Sequence, residues 1–354
     1  VRNADPDDTN DFVVDFNTIS GATKAISNLS TGSVDFSNMG ANTEVEVIGN
    51  TGAAGADADL TAGYTTAATS STVTFSGGVD TGDLTVTGTK ILSQTIKSTG
   101  AQNDIDAITL AATTTSFTID AATKFVTGGA LDFGATKTLT IKGAGTVDLA
   151  GALDATAMDA TTNKVDASAT TGGAHVKFAD VAATTAATGA TITDVVDITF
   201  IGGSGSDEVF YTVDGDGAGG HELDISLGAG DDYFSLASQF QVSTTTKVAD
   251  KADGGDGNDT LIFTAADAEA QAAVTGFTNF EELQIVGSVN SDVDVANIQA
   301  SGITIVNLLN AASAGAPEIN FATGGGTIDL QAAGTIGVDG FIAAVAGTST
   351  TDTV

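Results

Sequence analysis

The sequence predicts an all-β protein built as a parallel β-solenoid, with one short helix. Short segments of alternating apolar and polar residues recur along the chain, and many of them are followed by glycine. Charged residues make up 16% of the chain, below the usual quarter, while alanine, threonine and glycine dominate. A solenoid suits such segments because each coil buries only a few side chains against its neighbours. A β-sandwich in the N-terminal part is the alternative fold.

The predicted strands have a period of two, with apolar residues on one face and threonine or aspartate on the other. In the first half they are residues 34–36, 44–48, 72–75, 84–87, 107–110, 117–120, 139–142 and 147–149. In the second half they are residues 195–201, 261–263, 276–285, 293–295, 303–306, 319–321 and 327–330. These segments predict coils throughout the chain.

One helix is predicted after the strand at 261–263. Thr264 and Asp267 form the pattern of a capping box, and residues 265–273 contain strong helix formers. Gly276 is placed to end this helix. We therefore expect a single short helix on the flank of the solenoid.

The chain is predicted to have three parts: an acidic arm or linker at 1–12, a solenoid at 13–190 and a calcium-binding roll with further coils at 191–354. The arm is either a solvated tail or a place where acidic side chains bind calcium between subunits. Residues 179–190 are almost all alanine, threonine and glycine, which indicates a boundary there.

A nine-residue pattern occurs three times in the second half of the chain. It consists of two glycines, a spacer, glycine, a spacer, aspartate, a spacer, a large apolar residue and a final spacer. Residues 202–210 and 254–262 fit it completely, and residues 227–235 fit it except for Leu227 in place of the first glycine. The alternative reading is that these are ordinary turns, in which glycine and aspartate are common.

This pattern resembles the calcium-binding nonapeptide of RTX proteins, a family of secreted proteins. The resemblance implies a β-roll in which calcium lies between turns on successive coils. Uninterrupted RTX repeats follow every nine residues, whereas these repeats start 25 and 27 residues apart. We interpret the spacing as one calcium turn per coil, with two gaps that hold about two ions.

Calcium accepts carboxylate and backbone carbonyl oxygens, and glycine allows the backbone to turn its carbonyls towards one point. The first-choice ligands are Asp207, Asp232 and Asp259, and the second-choice ligands are Asp231 and Asp256. Carbonyl oxygens are expected from the turn glycines, which are Gly203, Gly205, Gly228, Gly230, Gly255 and Gly257. Asp214 and Asp216 fit a further turn on the opposite side only loosely.

The charge restricts the functions that the chain can have. Eleven lysines and arginines against 45 acidic residues give a net charge of −34, which argues against binding nucleic acid or an anionic membrane surface. Such a charge requires neutralisation, which a calcium-rich extracellular medium provides. Cysteine is absent. The sequence contains no run of 18 apolar residues, so it predicts no transmembrane helix.

No catalytic pattern is found in the sequence. His175 and His221 are far apart, and zinc-protease, nucleophile-elbow and cysteine-nucleophile patterns are missing. The chain is therefore predicted not to be an enzyme.

The preferred hypothesis is a calcium-dependent, self-assembling protein of the cell surface, similar to the S-layer proteins of Gram-negative bacteria. The expected partners are copies of the chain in a lattice or filament, together with a cell-surface polysaccharide. The alternatives are an RTX adhesin, an extracellular filament subunit, or the calcium-binding module of an exported hydrolase.

Overall fold

The computed structural model describes residues 1–4, 11–51, 58–129, 131–132, 138–154, 163–179, 198–212, 223–237, 250–271, 276–289, 292–298, 302–309, 318–321, 326–330, 342–345 and 352–353. The chain divides into two compact units, Val1–Thr185 with Ile201–Gly205, and Ala186–Phe200 with Ser206–Val354. The acidic stretch of the predicted arm at 5–10 and the predicted boundary at 190–191 lie outside the described residues. Within that arm, Val1 and Asn3 hydrogen-bond to the backbone of the following coil.

The first unit is built from short strands. They are β1 (Phe12–Asp15), β2 (Lys24–Asn28), β3 (Val34–Met39), β4 (Glu44–Ile48), β5 (Leu60–Tyr64), β6 (Ser70–Ser76), β7 (Asp80–Thr81), β8 (Leu84–Thr87), β9 (Ser93–Thr99), β10 (Asn103–Ile105), β11 (Ile108–Thr109), β12 (Ser116–Ala121), β13 (Phe125–Thr127), β14 (Leu131–Asp132), β15 (Thr138–Gly143), β16 (Val147–Asp154), β17 (Asn163–Thr170) and β18 (Ala174–Ala179). A 3-10 turn, Phe16–Thr18, follows β1.

These strands stack in parallel, coil upon coil. On one side β2, β4, β6, β9, β12, β15 and β17 pair in that order. On another, β1, β3, β5, β8, β11, β14 and β16 pair in order, and β7, β10, β13, β16 and β18 form a further series. The β-sandwich alternative is wrong for this part of the chain, because a sandwich is antiparallel and these pairings are all parallel.

The register brings like residues together inside the first unit. One buried aliphatic row consists of Val45, Val73, Ile96, Ile119 and Ile141, which are 28, 23, 23 and 22 residues apart. Because neighbouring strands lie about 4.8 Å apart, each of these side chains contacts the next along the row. This packing confirms the predicted solenoid and its inward-facing apolar residues.

The second unit continues with β19 (Ile198–Ile201, whose last residue belongs to the first unit), β20 (Glu208–Thr212), β21 (Leu223–Ser226), β22 (Tyr233–Leu236), β23 (Lys251–Asp253), β24 (Thr260–Thr264), α1 (Ala265–Ala270), β25 (Phe277–Thr278), β26 (Glu282–Val286), β27 (Val293–Asp294), β28 (Ile305–Leu308), β29 (Glu318–Phe321), β30 (Thr327–Leu330), β31 (Ile342–Val345) and β32 (Asp352–Thr353). A 3-10 turn, Val295–Asn297, follows β27.

Parallel pairing dominates this unit too. One series runs β20, β22, β24, β26, β28 and β30, a second runs β21, β23 and β25, and a third runs β27, β29 and β31. β32 pairs antiparallel with β31. In the part of the chain that the structure describes, no helix is long and apolar enough to span a membrane.

The predicted helix begins as expected but ends early. Thr264 caps it, with its side-chain oxygen accepting the N–H of Asp267 at 3.1 Å. The helix stops at Ala270, before the predicted Gly276, because Gln271 takes an extended conformation. Gln271 is buried, its side chain donates to the Asp267 carbonyl, and its own carbonyl accepts from Asn297. One local and one tertiary hydrogen bond of Gln271, rather than a glycine, accompany the end of this helix.

We predict that Phe75→Ala lowers the stability of the first unit by about 3–5 kcal/mol, the usual cost of truncating a buried phenylalanine. Phe75 is fully buried and stacks on Phe125 with ring centroids 6.2 Å apart. Urea unfolding measures the change, and Thr74→Ala, on the outward face of the same strand, is the control with a change below about 0.5 kcal/mol. Equal midpoints for the two variants would contradict the inward placement of Phe75.

Candidate metal centre

The aspartates of the three nonapeptide repeats lie one residue before β20, β22 and β24. Parallel pairing joins the repeats: Tyr233 donates its N–H to the carbonyl of Asp207, and Thr260 donates to the carbonyl of Asp232, both at 2.9 Å. Asp207, Asp232 and Asp259 therefore occupy matching positions on successive coils. We call these three residues the aspartate column.

A ladder of hydrogen bonds runs along the aspartate column. The backbone N–H of Asp207 donates to Oδ1 of Asp232 at 2.7 Å, and the N–H of Asp232 donates to Oδ1 of Asp259 at 2.9 Å. The carboxylates of Asp232 and Asp259 thus each reach back to the coil before them. The ladder uses only one of the two oxygens of each of these two carboxylates.

The second carboxylate oxygen, Oδ2, lacks a hydrogen-bond partner in both Asp232 and Asp259. All three aspartates of the column have 0% exposed surface, and Oδ2 of Asp232 and Oδ2 of Asp259 are buried without a hydrogen-bond partner in the protein. An ionised carboxylate can only accept, so these oxygens require a donor or a cation. Leaving such an acceptor unsatisfied costs about 1–3 kcal/mol or more.

Burial and neighbouring charges raise the pKa values of the same two residues. Burial raises the pKa of Asp232 to about 7, and the negative charges of Asp207, Asp259 and Asp231 add to this effect, against the hydrogen bond from the Asp207 N–H. Burial also raises the pKa of Asp259 to about 6, with contributions from nearby carboxylates. The column is therefore a place where negative charge is concentrated and poorly compensated.

The turn glycines allow the second and third repeats to stack closely. Gly228, Gly230, Gly255 and Gly257 all have positive φ. A Cβ on Gly255 would overlap the carbonyl oxygen of Gly228, and one on Gly257 would overlap that of Gly230. Glycine is needed at 255 and 257 because only its missing side chain leaves room for the neighbouring backbone.

The glycines of the first repeat lie in the first unit. A Cβ on Gly203 would overlap the carbonyl oxygen of Thr170, and one on Gly205 would overlap the backbone N of Gly173. Both glycines therefore pack against the preceding coil of that unit.

The second-choice ligands lie further out. Asp231 is exposed, with its Oδ1 accepting the N–H of Asn258 at 3.0 Å, and the side chain of Asp256 is also exposed. The backbone of Asp256 forms a parallel bridge with Ala229. Asp214, Asp216 and His221 lie outside the described residues, and His175 is on β18 in the first unit.

The first unit fills the equivalent ladder position with asparagine. Asn50 and Asn103 are buried, and each accepts a backbone N–H from the preceding coil through Oδ1 at 2.9 Å. Their amide nitrogens donate to Ser27 Oγ and Ser98 Oγ, both at 2.8 Å. Asparagine therefore satisfies this position completely, whereas the aspartates leave one oxygen unsatisfied.

Sequence reasoning missed one residue that continues the ladder, Glu281. Its Oε2 accepts the N–H of Asp259 at 2.9 Å, as the column aspartates accept from one another. The signal was present as an acidic residue two positions before a buried leucine, Leu283, which matches Asp259 and Leu261. It was overlooked because no glycine-rich segment precedes it.

The column fits a hard divalent cation that takes part of its coordination from the backbone. Unpartnered carboxylate oxygens and carbonyl-rich turns are ligands that calcium prefers. Within the described ranges, no three histidine, cysteine, aspartate or glutamate side chains converge on one point. A bound calcium would therefore need carbonyl and water oxygens beside one or two carboxylates, with the aspartate column and the turn glycines supplying the protein ligands.

Comparison with known proteins adds no relative: no family model, curated protein or solved structure matches the chain. The candidate site therefore rests on its own residues.

We predict that Asp232→Asn stabilises the calcium-free protein at about pH 8 by about 1–3 kcal/mol and has a smaller effect at about pH 5. Folding raises the pKa of Asp232 from 3.8 to about 7. The folded protein then binds more protons than the unfolded chain in this range, so stability falls as the pH rises through it. Asparagine keeps the acceptor for the Asp207 N–H and removes the charge.

Thermal denaturation in the presence of a chelator, at several pH values, measures this effect. Asp256→Asn removes the same charge from an exposed site and is the matched control. A change in the free energy of unfolding by Asp232→Asn that is the same at both pH values would contradict the raised pKa of Asp232.

Proposed function

We propose that the chain is a calcium-dependent, self-assembling extracellular structural protein, of the kind that forms S-layers. The observation that carries the proposal is the aspartate column, with the unpartnered buried oxygens of Asp232 and Asp259. The glycine-rich turns that precede these aspartates carry backbone carbonyl groups, a second kind of oxygen that calcium binds.

The charge of the second unit supports a requirement for cations. Residues 186–354 contain 24 acidic residues and two lysines, Lys247 and Lys251. Buried carboxylates without a cation are costly, and self-repulsion adds to this cost. Calcium at millimolar concentration outside the cell would neutralise the column and bind at weak sites of this kind.

The solenoid supports a structural role. Each coil contacts only its neighbours, so the fold extends by repetition and offers long, regular sheet faces. The outward faces carry threonine and alternating charges, such as the Lys142–Asp120 ion pair at 3.1 Å. Calcium would then act twice, first by locking the coils and then by bridging acidic surfaces of neighbouring copies.

Electron microscopy of the purified chain tests the assembly. With millimolar calcium we expect regular sheets or filaments, and excess chelator should dissolve them because the acidic surfaces then repel one another. Magnesium at the same concentration is the control, since its preference for rigid octahedral sites makes it a poor substitute.

An assembly that survives excess chelator would contradict calcium dependence. A chain that folds on calcium but stays monomeric would instead favour the calcium-binding module of an exported hydrolase, or an adhesin segment.

We predict that Asp232→Ala weakens calcium binding more than Asp207→Ala, because Asp232 faces two neighbouring repeats in the column and Asp207 faces one. Isothermal titration calorimetry with calcium measures the affinity, and losses of about tenfold or more per site correspond to about 1.4 kcal/mol. Asp224→Ala, at an exposed position on β21, is the control and should leave binding unchanged. Equal losses for Asp207→Ala and Asp232→Ala would count against the stacked arrangement.

A further inference from the structure

The coil after the third repeat has no nonapeptide, yet it repeats the hydrogen-bond pattern of the aspartate column. Glu281 and Glu282 donate their N–H groups to the carbonyl of Asp259 at 3.1 and 3.0 Å. In return the carboxylate of Glu281 accepts the N–H of Asp259 at 2.9 Å. Glu281 therefore holds the position on its coil that Asp259 holds on the coil before it.

The turn before Glu281 has an asparagine, Asn279, in a backbone conformation that usually requires glycine. Asn279 has a positive φ of 54°, a conformation uncommon for residues other than glycine but tolerated best by asparagine and aspartate. Its side chain donates to Oδ1 of Asp253 at 2.7 Å, which links this turn to the end of β23, directly before the third repeat. A Cβ on Gly254 would overlap the carbonyl oxygen of Asn279, just as one on Gly255 would overlap that of Gly228.

A carboxylate oxygen of Asp259 also lies close to the Cβ position of Gly254. The Cβ that Gly254 lacks would lie 2.8 Å from Oδ2 of Asp259. This Oδ2 belongs to a side chain with 0% exposed surface and has no hydrogen-bond partner. The same point also lies against the carbonyl oxygen of Asn279, so a carboxylate oxygen and a carbonyl oxygen approach each other beside Gly254.

We propose that a third divalent cation, calcium, binds between the third repeat and the coil of Glu281. Its protein ligands are Oδ2 of Asp259, the carbonyl of Asn279 and the carboxylate of Glu281, with water completing the shell. The column then has three gaps instead of the two that the repeats alone indicate. This inference rests on the proposed calcium binding at the neighbouring repeats, and it adds a site that no nonapeptide marks.

The chemistry of these ligands selects calcium. All are hard oxygen donors, one is neutral and two are charged, and calcium accepts such mixed, irregular shells of 6–8 oxygens. Zinc prefers nitrogen and sulfur ligands in a tetrahedral arrangement. The site closes the acidic end of the column, where Asp259 would otherwise keep an uncompensated buried charge.

The number of calcium ions bound per chain, measured by isothermal titration calorimetry on the full chain, tests the site. Glu281→Gln keeps an acceptor for the Asp259 N–H but removes the charge, and it should bind one calcium ion fewer than the unaltered chain. Glu282→Gln is the matched control. Both oxygens of Glu282 already accept from Asn258 and Asn307, at 2.8 and 2.7 Å, so its ion count should not change.

A second variant covers the case in which Glu281→Gln fails to fold. Asp259→Asn should remove two ions if the third site exists and one ion if it does not. An unchanged ion count for Glu281→Gln, in an unaltered chain that binds calcium, would overturn the third site and leave the proposed function standing. An unaltered chain that binds no calcium would overturn the proposed function itself.

Discussion

Parallel, in-register stacking of coils is the constraint on which the rest of the structure depends. Backbone hydrogen bonds place each residue above its counterpart one coil earlier, so like residues accumulate in rows. For apolar residues this is favourable, as in the row from Val45 to Ile141. For carboxylates the same register forces buried like charges together, as between Asp232 and Asp259. Such a column lowers the stability of the solenoid unless protonation or a bound cation compensates the charge.

The two units satisfy the same corner position with different chemistry. In the first, Asn50 and Asn103 accept a backbone N–H and donate to serine hydroxyls, so the corner is neutral and complete. In the second, aspartate accepts the same bond but has nothing to donate. Folding alone would be served by asparagine, which makes ion binding the better explanation for the negative charge. The proposed calcium therefore couples the stability of the second unit to the medium.

Such a division suits a protein that assembles outside the cell. On the proposed function, calcium compensates the buried carboxylates of the second unit and so stabilises that unit where calcium is plentiful. On the proposed function, order in the second unit and neutralisation of its acidic surface arise from the same ion. Assembly would then follow export without requiring a separate trigger.

The sequence by itself determined the local features. Period-two alternation located β4, β8 and β30 at their observed bounds, the capping box located the start of α1, and the repeats located the aspartates. These depend on neighbours in sequence. Tertiary structure decided what depends on distant residues: the register between coils, the early end of α1 at Gln271, and the place of Glu281 in the column. Register is a property of pairs of segments, so no single segment could reveal that Asn279 and Glu281 lie on the coil next to Asp259.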